Sequence, residues 1–397
     1  MSATPSASRR LAADAAPAPQ VALALAGAGA AVALAVYAAG SSPRLSILLL
    51  IGLLCGATLY HAAFGFTHAY RRLLFARDAS GARAQLVMLA VATLLFAPIL
   101  AAGSVLGQPV AGAEAPAGWQ VAIGAFLFGA GMQLASGCGS GTLYTVGGGS
   151  MRMVITLVAF CAGGFWASLH MDAWQRLPDL GTVVLGEALG SPGAVALQLA
   201  VLGVLYVLLR KWERAAQPAM PAAPRGWLRI LTGPWPLVAG ALLLALLNLA
   251  TLAVAGHPWS ITWAFTLWGA KAARLVGWDP AASPFWNGEF QRSALDGPVL
   301  EEVTSVMDVG IVLGAFVAAA LAGRFSPTLR LRPGALVSAI LGGLLMGYGA
   351  RIAFGCNIGA FFSGIASTSL HGWVWIAAAL PGTWLGARLR PFFGMPI

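Results

Sequence analysis

Gly129-Ala-Gly-Met-Gln-Leu-Ala-Ser-Gly-Cys-Gly-Ser-Gly141 aligns without gaps on Gly347-Tyr-Gly-Ala-Arg-Ile-Ala-Phe-Gly-Cys-Asn-Ile-Gly359, at a constant offset of 218 residues. The copies share the flanking glycines, one alanine, the Gly-Cys pair and the closing glycine. Gln133 stands opposite Arg351, and Gly139 opposite Asn357. Each copy follows an apolar run. A glycine inside a helix costs about 1 kcal/mol relative to alanine, so both segments are predicted to break there. The missing side chains also let backbone approach a ligand or a neighbouring helix. At membrane depth a broken helix persists only where it is buried in protein or lines a cavity.

The rest of the chain puts these segments in a bilayer. Of 397 residues, 59% are hydrophobic and only 9% charged, against about 25% charged in soluble domains. A water-facing surface cannot be covered with so few charges. This excludes a soluble enzyme, a disordered tail and a nucleic-acid-binding module, despite a formal charge of +10. Apolar runs long enough to span recur near Val21–Ala39, Leu45–Phe66, Ala84–Gly103, Trp119–Ala135, Met153–His170, Gly193–Leu209, Pro234–Gly256, Val303–Ala322, Pro333–Ala350 and Gly372–Leu389. Ser260 to Val276 is apolar but short, and reads as re-entrant, interfacial or an eleventh span. The fold class is thus an all-α polytopic membrane protein of about ten spans.

Five spans lie on each side of the Pro/Ala-rich stretch Gln217 to Arg225. An odd number per half predicts two inverted five-helix repeats, with broken or re-entrant helices at the midplane. The expected organisation is a disordered cytoplasmic N-terminus (1–20), a first transmembrane repeat (21–209), a cytoplasmic linker (210–233) and a second repeat (234–397), with 193 an alternative start for the second half. Arg71, Arg72, Arg77 and Arg83 follow the second span; Arg210, Lys211, Arg214, Arg225 and Arg229 follow the sixth; Arg324, Arg330 and Arg332 follow the eighth. Ser104 to Gly118 has neither Lys nor Arg. The positive-inside rule therefore predicts both termini in the cytoplasm.

Half-helix N-termini that meet near the midplane favour anions, because free N–H groups and the helix dipole both attract negative charge. A thiol adds a soft, polarisable group that donates and accepts weakly. Cys138 and Cys356, with Gly137, Gly139, Gly141, Gly355, Asn357 and Gly359 around them, are the candidate binding residues. Arg351, Arg152 and Lys271 are candidates for drawing an anion to the pore mouths, or for pairing with loops and lipid headgroups. A plainer alternative is that the glycines are packing devices and each cysteine a small residue in a tight crossing. Cys55 and Cys161 read as small buried hydrophobes. None of the four cysteines lies in a hydrophilic loop where a disulfide framework would sit. The five histidines lack metal-ligand spacing, Gly147-Gly-Gly149 is not followed by the Lys-Ser/Thr of a phosphate loop, and no cofactor or metal is expected. No Asp or Glu stands in the repeated motif, which argues against a proton relay there. The mixed charges of Asp279 to Glu302 read as a solvated loop rather than a vestibule.

Gly-Cys-Gly-Ser-Gly-Thr-Leu-Tyr (137–144) and Gly-Cys-Asn-Ile-Gly-Ala-Phe-Phe-Ser-Gly-Ile (355–365), followed by His371-Gly-Trp373, resemble the YeeE/YedE sulfur-transport family. So do His61-Ala-Ala-Phe-Gly-Phe-Thr-His-Ala-Tyr-Arg71 and Trp268-Gly-Ala-Lys-Ala-Ala-Arg274. The likeness runs from about Leu53 to the C-terminus and suggests the longer members, some linked to selenium metabolism. It implies an hourglass-shaped protein of the bacterial inner membrane, with cysteines at a constriction, importing thiosulfate or a related sulfur or selenium species. The ion would pass between thiols through weak S–H to sulfur hydrogen bonds. Cys138 and Cys356 match two motif cysteines; Gly65 stands where the family has a third.

Three readings follow. The leading one is a transporter of a small sulfur-containing anion. A rival is a membrane thiol–disulfide oxidoreductase shuttling electrons between Cys138 and Cys356. The third is an accessory subunit that docks a soluble cytoplasmic sulfur-carrier protein on the Arg-rich face.

Overall fold

The computed structural model describes residues 17–214 and 228–397. The expected linker Gln217 to Arg225, and residues 1–16 of the N-terminal stretch, lie outside the described residues. The apolar runs become helices: α1 (Val21–Ser41), α2 (Pro43–His61), the short α3 (Phe66–Arg71), α4 (Ser80–Ala102), α5 (Trp119–Ala135), α6 (Gly139–Gly147), α7 (Met151–Ser168), α8 (Leu185–Trp212), α9 (Leu237–Ala255), α10 (Thr262–Leu275), α11 (Val303–Leu321), α12 (Pro333–Ile352) and α13 (Leu370–Leu389). Between α12 and α13 the chain makes a wide helical turn, Asn357–Phe362, that runs into Ser363–Ala366. Among the described residues, nine helical stretches are long and apolar enough to cross a membrane. The tenth expected span is α13, with 20 residues; its length suffices, and its aromatic and polar side chains make it less apolar than the nine.

Ser260 to Val276 is not an eleventh span. Helix α10 has 14 residues, about 21 Å at 1.5 Å per residue, which falls short of a hydrocarbon core about 30 Å thick. It packs inside the bundle, against α7, α11 and α12.

The 218-residue offset also relates helices. It carries α5 onto α12 and α7 onto α13, and the neighbours follow: α12 lies along α7 as α13 lies along α5. Helices α5 and α12 pack on each other. Such close packing needs small residues where backbones meet. A Cβ on Gly56 of α2 would fall 2.0 Å from the Ile311 carbonyl oxygen of α11, and one on Gly314 would fall 2.0 Å from that of Leu53. Elsewhere the helices show lipid-type apolar side chains outward, as at Leu25, Val32 and Val36 of α1.

The segment from Asp279 to Glu302 is a packed cap over α10, not a solvated loop. Trp286 is fully buried, stacks on Trp263, and donates its indole N–H to Ser168 Oγ at 2.8 Å. The Lys271 ammonium donates to the carbonyls of Leu295 (2.7 Å) and Gly297 (2.6 Å), and Arg274 pairs with Asp296 at 2.6 Å. Aromatic burial and satisfied carbonyls outweigh the charge content that suggested solvent.

Overfilling the α2–α11 contact should cost about 1–3 kcal/mol, because the obstructing atoms are backbone. G56L is therefore expected to lower the midpoint of thermal unfolding in detergent by several degrees. G29L, where no atom lies within 4 Å of the added carbon, should leave it unchanged. Equal midpoints for the two variants would contradict this packing.

Candidate functional site

Three helix breaks share one backbone geometry. Ser136, Phe354 and Ala63 have positive φ (69°, 58° and 46°), although none is glycine. Two residues after each, the chain is extended and caps a new helix: Cys138 caps α6, Cys356 caps the Asn357–Phe362 turn, and Gly65 caps α3. A non-glycine residue in the left-handed region is held there at some cost by its surroundings, so the recurrence marks a built feature. Gly65, matched to a family cysteine by sequence, thus also occupies the backbone position of the two cysteines.

The two cysteine caps converge. A Cβ on Gly139 would lie 3.4 Å from Cys356 Sγ, and one on Gly141 would lie 3.4 Å from Cys138 Sγ. Both thiols are buried, each 1% exposed, and both are free. Cys138 Sγ sits 3.5 Å from Ser140 Oγ; Cys356 Sγ accepts the Ile358 N–H at 3.4 Å. Each sulfur thus meets the opening N–H groups or hydroxyls of its own half-helix. Asn357 is fully buried, and its amide lies against the Tyr70 hydroxyl without either group completing a well-formed hydrogen bond. Gln133 Nε2 donates to the Thr67 carbonyl at 2.8 Å, leaving Gln133 Oε1 and Thr67 Oγ1 without partners. Buried polar atoms left unpaired are costly unless something else supplies the bond.

Two clefts approach this centre. One, of about 630 Å³, is lined by Gly65, His68, Arg72, Asp78 and Arg83, with Pro236 and Leu237 at the start of α9. The other, of about 530 Å³, is lined by His257, just past the end of α9, and by Ser260, Trp263, Glu301 and Glu302. They open at opposite ends of one 19-residue helix, about 28 Å long at 1.5 Å per residue. From the first, a Cβ on Gly65 would meet Tyr144 Oη at 3.4 Å; from the second, Ser260 Oγ lies 3.2 Å from the empty side-chain position of Gly359. Gly65, Gly139 and Gly359 therefore each omit the carbon that would stand before the next polar atom. Burial, then the neighbouring Arg71 and Arg152 charges, push the Arg390 guanidinium down to about 10, so cations crowd on the side of the first cleft.

The sequence-stretch candidates divide. Gly65 lines the first cleft, Gly359 faces Ser260 of the second, and Cys138, Cys356, Gly139, Gly141 and Asn357 are buried at the two cysteine caps. A Cβ on Gly137 would lie 3.3 Å from Met153 Sδ, and Gly355 has φ 151° with a Cβ position 2.7 Å from the Ala360 nitrogen; these two shape the turns. Arg152 is a clamp, donating to the Leu134 carbonyl, Ser338 Oγ and Met395 Sδ, and Lys271 anchors the cap. Neither is free to greet an anion. Arg351 lies against the Trp263 and Phe285 rings. Cys55 is fully buried in the main core and Cys161 is half-buried. Tyr70, Thr67, Gln133, Tyr144 and Ser260 were not singled out by sequence. Thr67 and Tyr70 lie inside the His61–Arg71 motif, Tyr144 closes the Gly137–Tyr144 motif, and Gln133 stands opposite Arg351 in the repeat, so these four carry a signal.

The cleft geometry predicts a sided labelling pattern. A membrane-impermeant maleimide should label G65C from one face of a sealed vesicle and S260C from the other, with Cys138 and Cys356 reacting far more slowly. Labelling of both new thiols from the same face would contradict two opposed clefts.

The sulphur transport family matches residues 61–385. Over 353 residues the chain is 28% identical to the thiosulfate transporter TsuA of Spirochaeta thermophila, an alignment covering 85% of this chain and 96% of that protein. It is 27% identical over 357 residues to TsuA of Escherichia coli K12, covering 86% and 94%. A further relative, the probable transporter YedE of Escherichia coli K12, is 36% identical over 176 residues, or 43% of this chain. The chain spans about two fifths of the length of the YedE relatives it matches, 41% in each. Because the match runs from His61 to Leu385 and takes in both cysteine breaks and the helices that carry them, the chain belongs to the sulphur transport family.

Proposed function

We propose that this chain is a transporter that moves a small sulfur-containing anion, thiosulfate or a related sulfur or selenium species, through a constriction made by Cys138, Cys356 and the glycine-flanked helix ends around them. The observation that carries this is the meeting of two capped half-helices, with Cys356 Sγ 3.4 Å from the vacant side-chain position of Gly139, between clefts that open at opposite ends of α9. The two relatives matched over nearly their whole length, both named thiosulfate transporter TsuA, support the substrate class. The repeated contacts at the 218-residue offset support an inverted repeat, and the arginine side supports a bacterial inner-membrane orientation with both termini and the first cleft in the cytoplasm.

The physics fits such a cargo. A bare divalent anion in hydrocarbon carries a Born cost on the order of tens of kcal/mol. Fixed N–H groups and thiols can replace part of its water, provided that binding stays weak enough for release. A thiol meets that need: it is a weak donor to a soft sulfur atom, whereas an arginine in the throat would hold the ion.

Purified protein in liposomes is expected to accumulate radiolabelled thiosulfate. C138A and C356A should each lose about tenfold in rate, the worth of one contact of ~1.4 kcal/mol, while C55A stays near wild type. Failure to take up thiosulfate, sulfite and selenium analogues alike would overturn the proposal. A Cys138–Cys356 disulfide that forms in step with turnover would favour the electron shuttle instead. G65C, which restores a thiol at the third cap, should raise the uptake rate; an unchanged rate would remove a third thiol from the mechanism.

A further inference from the structure

Helix α11 holds the one buried carboxylate that lies within a spanning helix among the described residues. Asp308 is fully buried, and neither of its oxygens has a hydrogen-bond partner. Three residues earlier, the buried Ser305 hydroxyl donates to the Glu302 carboxylate at 2.7 Å and accepts the Trp268 indole N–H at 3.0 Å. Glu302 itself lines the second cleft. Residues three apart on a helix stand on one face, so Glu302, Ser305 and Asp308 form a polar stripe that descends from open water into the bundle. At its inner end, Asp308 lies within electrostatic reach of Cys161 on α7 and of Cys356 at the constriction.

No cation balances this carboxylate. The charged and titratable groups that α11 meets are few. Helix α2 brings Arg44 and His61 at its two ends, the first tied to the Ala255 carbonyl and the second set against Trp235. It also brings the buried Cys55 thiol. Helix α10 brings Lys271, held by two cap carbonyls, and Arg274, paired with Asp296. Helix α6 brings Tyr144, α1 the exposed Tyr37, α2 also Tyr60, the turn Val299–Glu301 brings Glu301, the short helix Leu228–Thr232 brings Arg229, whose Nε donates to the Pro234 carbonyl, and α11 itself brings Glu302. Among the described residues, no Lys, Arg or His forms an ion pair with Asp308. An ionised carboxylate without water, cation or donor is among the costliest groups a membrane interior can hold, and such groups are paired or functional. A bound proton removes the charge.

We propose that Asp308 is a proton-carrying site of the transport path. It takes a proton from the Glu302-lined cleft by way of Ser305, which stands one helical turn before it on the same face. The O–H bond formed on Asp308 neutralises the carboxylate within the bundle while the anion passes, and its later break releases the proton with the anion on the far side. One proton thus offsets one of the two negative charges of a thiosulfate ion, and no redox step is involved. This inference rests on the transport reading above.

The test uses the full chain in liposomes loaded with a pH-sensitive dye. Adding thiosulfate outside should acidify the interior in step with uptake, and a gradient that is acid outside should speed uptake several-fold. D308N should lose this gradient dependence, and D308E, which keeps a titratable oxygen, should restore it. Thiosulfate uptake by the wild type without interior acidification would overturn the proton site and leave the transport reading intact. A D308N rate that still responds to the gradient as the wild type does would also overturn it. Absence of wild-type uptake under either gradient would instead overturn the transport reading, and the proton coupling with it. If D308N does not fold, the wild-type acidification decides.

Discussion

Every peptide group within hydrocarbon must find its partner inside the protein, and that requirement governs the centre of this molecule. Three helices nevertheless stop inside the bundle, at Ser136, Phe354 and Ala63. Each stop exposes the first N–H groups of a new helix, which only a neighbouring element, a side chain or a bound species can satisfy. The breaks survive because tightly crossed helices wall them off from lipid. Glycines at those crossings bring backbone against backbone, as Gly56 against Ile311 and Gly314 against Leu53. The packing and the polar centre are therefore one device: the first provides the enclosure without which the second would unravel.

The two approaches to that centre differ in character. One is bordered by Arg72 and Arg83, with Arg71, Arg152 and Arg390 close by; the other is bordered by Glu301, Glu302 and His257. The acidic border is not a field of free charge. Glu302 accepts the Thr304 and Ser305 N–H groups as the N-cap of α11, which satisfies it in place. The basic border is likewise partly committed: Arg72 pairs with Asp78, and Arg83 pairs with Glu213 at 2.7 Å. What differs is the surplus, and it favours a negative ion on the arginine side.

Much of this was legible in the chain. Apolar runs predicted the spans, because hydrocarbon thickness sets their length, and the gapless 218-residue offset pointed to the paired breaks. The line of glycines was legible as a group but not by role: Gly139 and Gly359 face polar atoms, whereas Gly137 and Gly355 shape turns, a distinction that depends on what lies across from each. The Asp279 to Glu302 cap departs from the solvated loop its charges suggest because those charges lie on its surface, while the buried Trp286 holds it to the bundle. Asp308 was overlooked for a similar reason. One carboxylate in a run such as Val-Gly-Ile-Val-Leu-Gly barely alters local apolarity, yet its chemistry depends wholly on having no partner in three dimensions.

The three caps share one backbone, whatever side chain each carries. A cap whose main-chain torsions do not depend on its side chain can exchange sulfur for hydrogen without disturbing the architecture. Gly65 is already in that state, with Tyr144 Oη as the sole near atom across from it. On the transport reading proposed above, the number of soft donors at the centre thus becomes an adjustable quantity. Fewer of them leave hydroxyls and amides to do more of the selecting, and tilt preference from polarisable sulfur toward harder oxygen-rich ions.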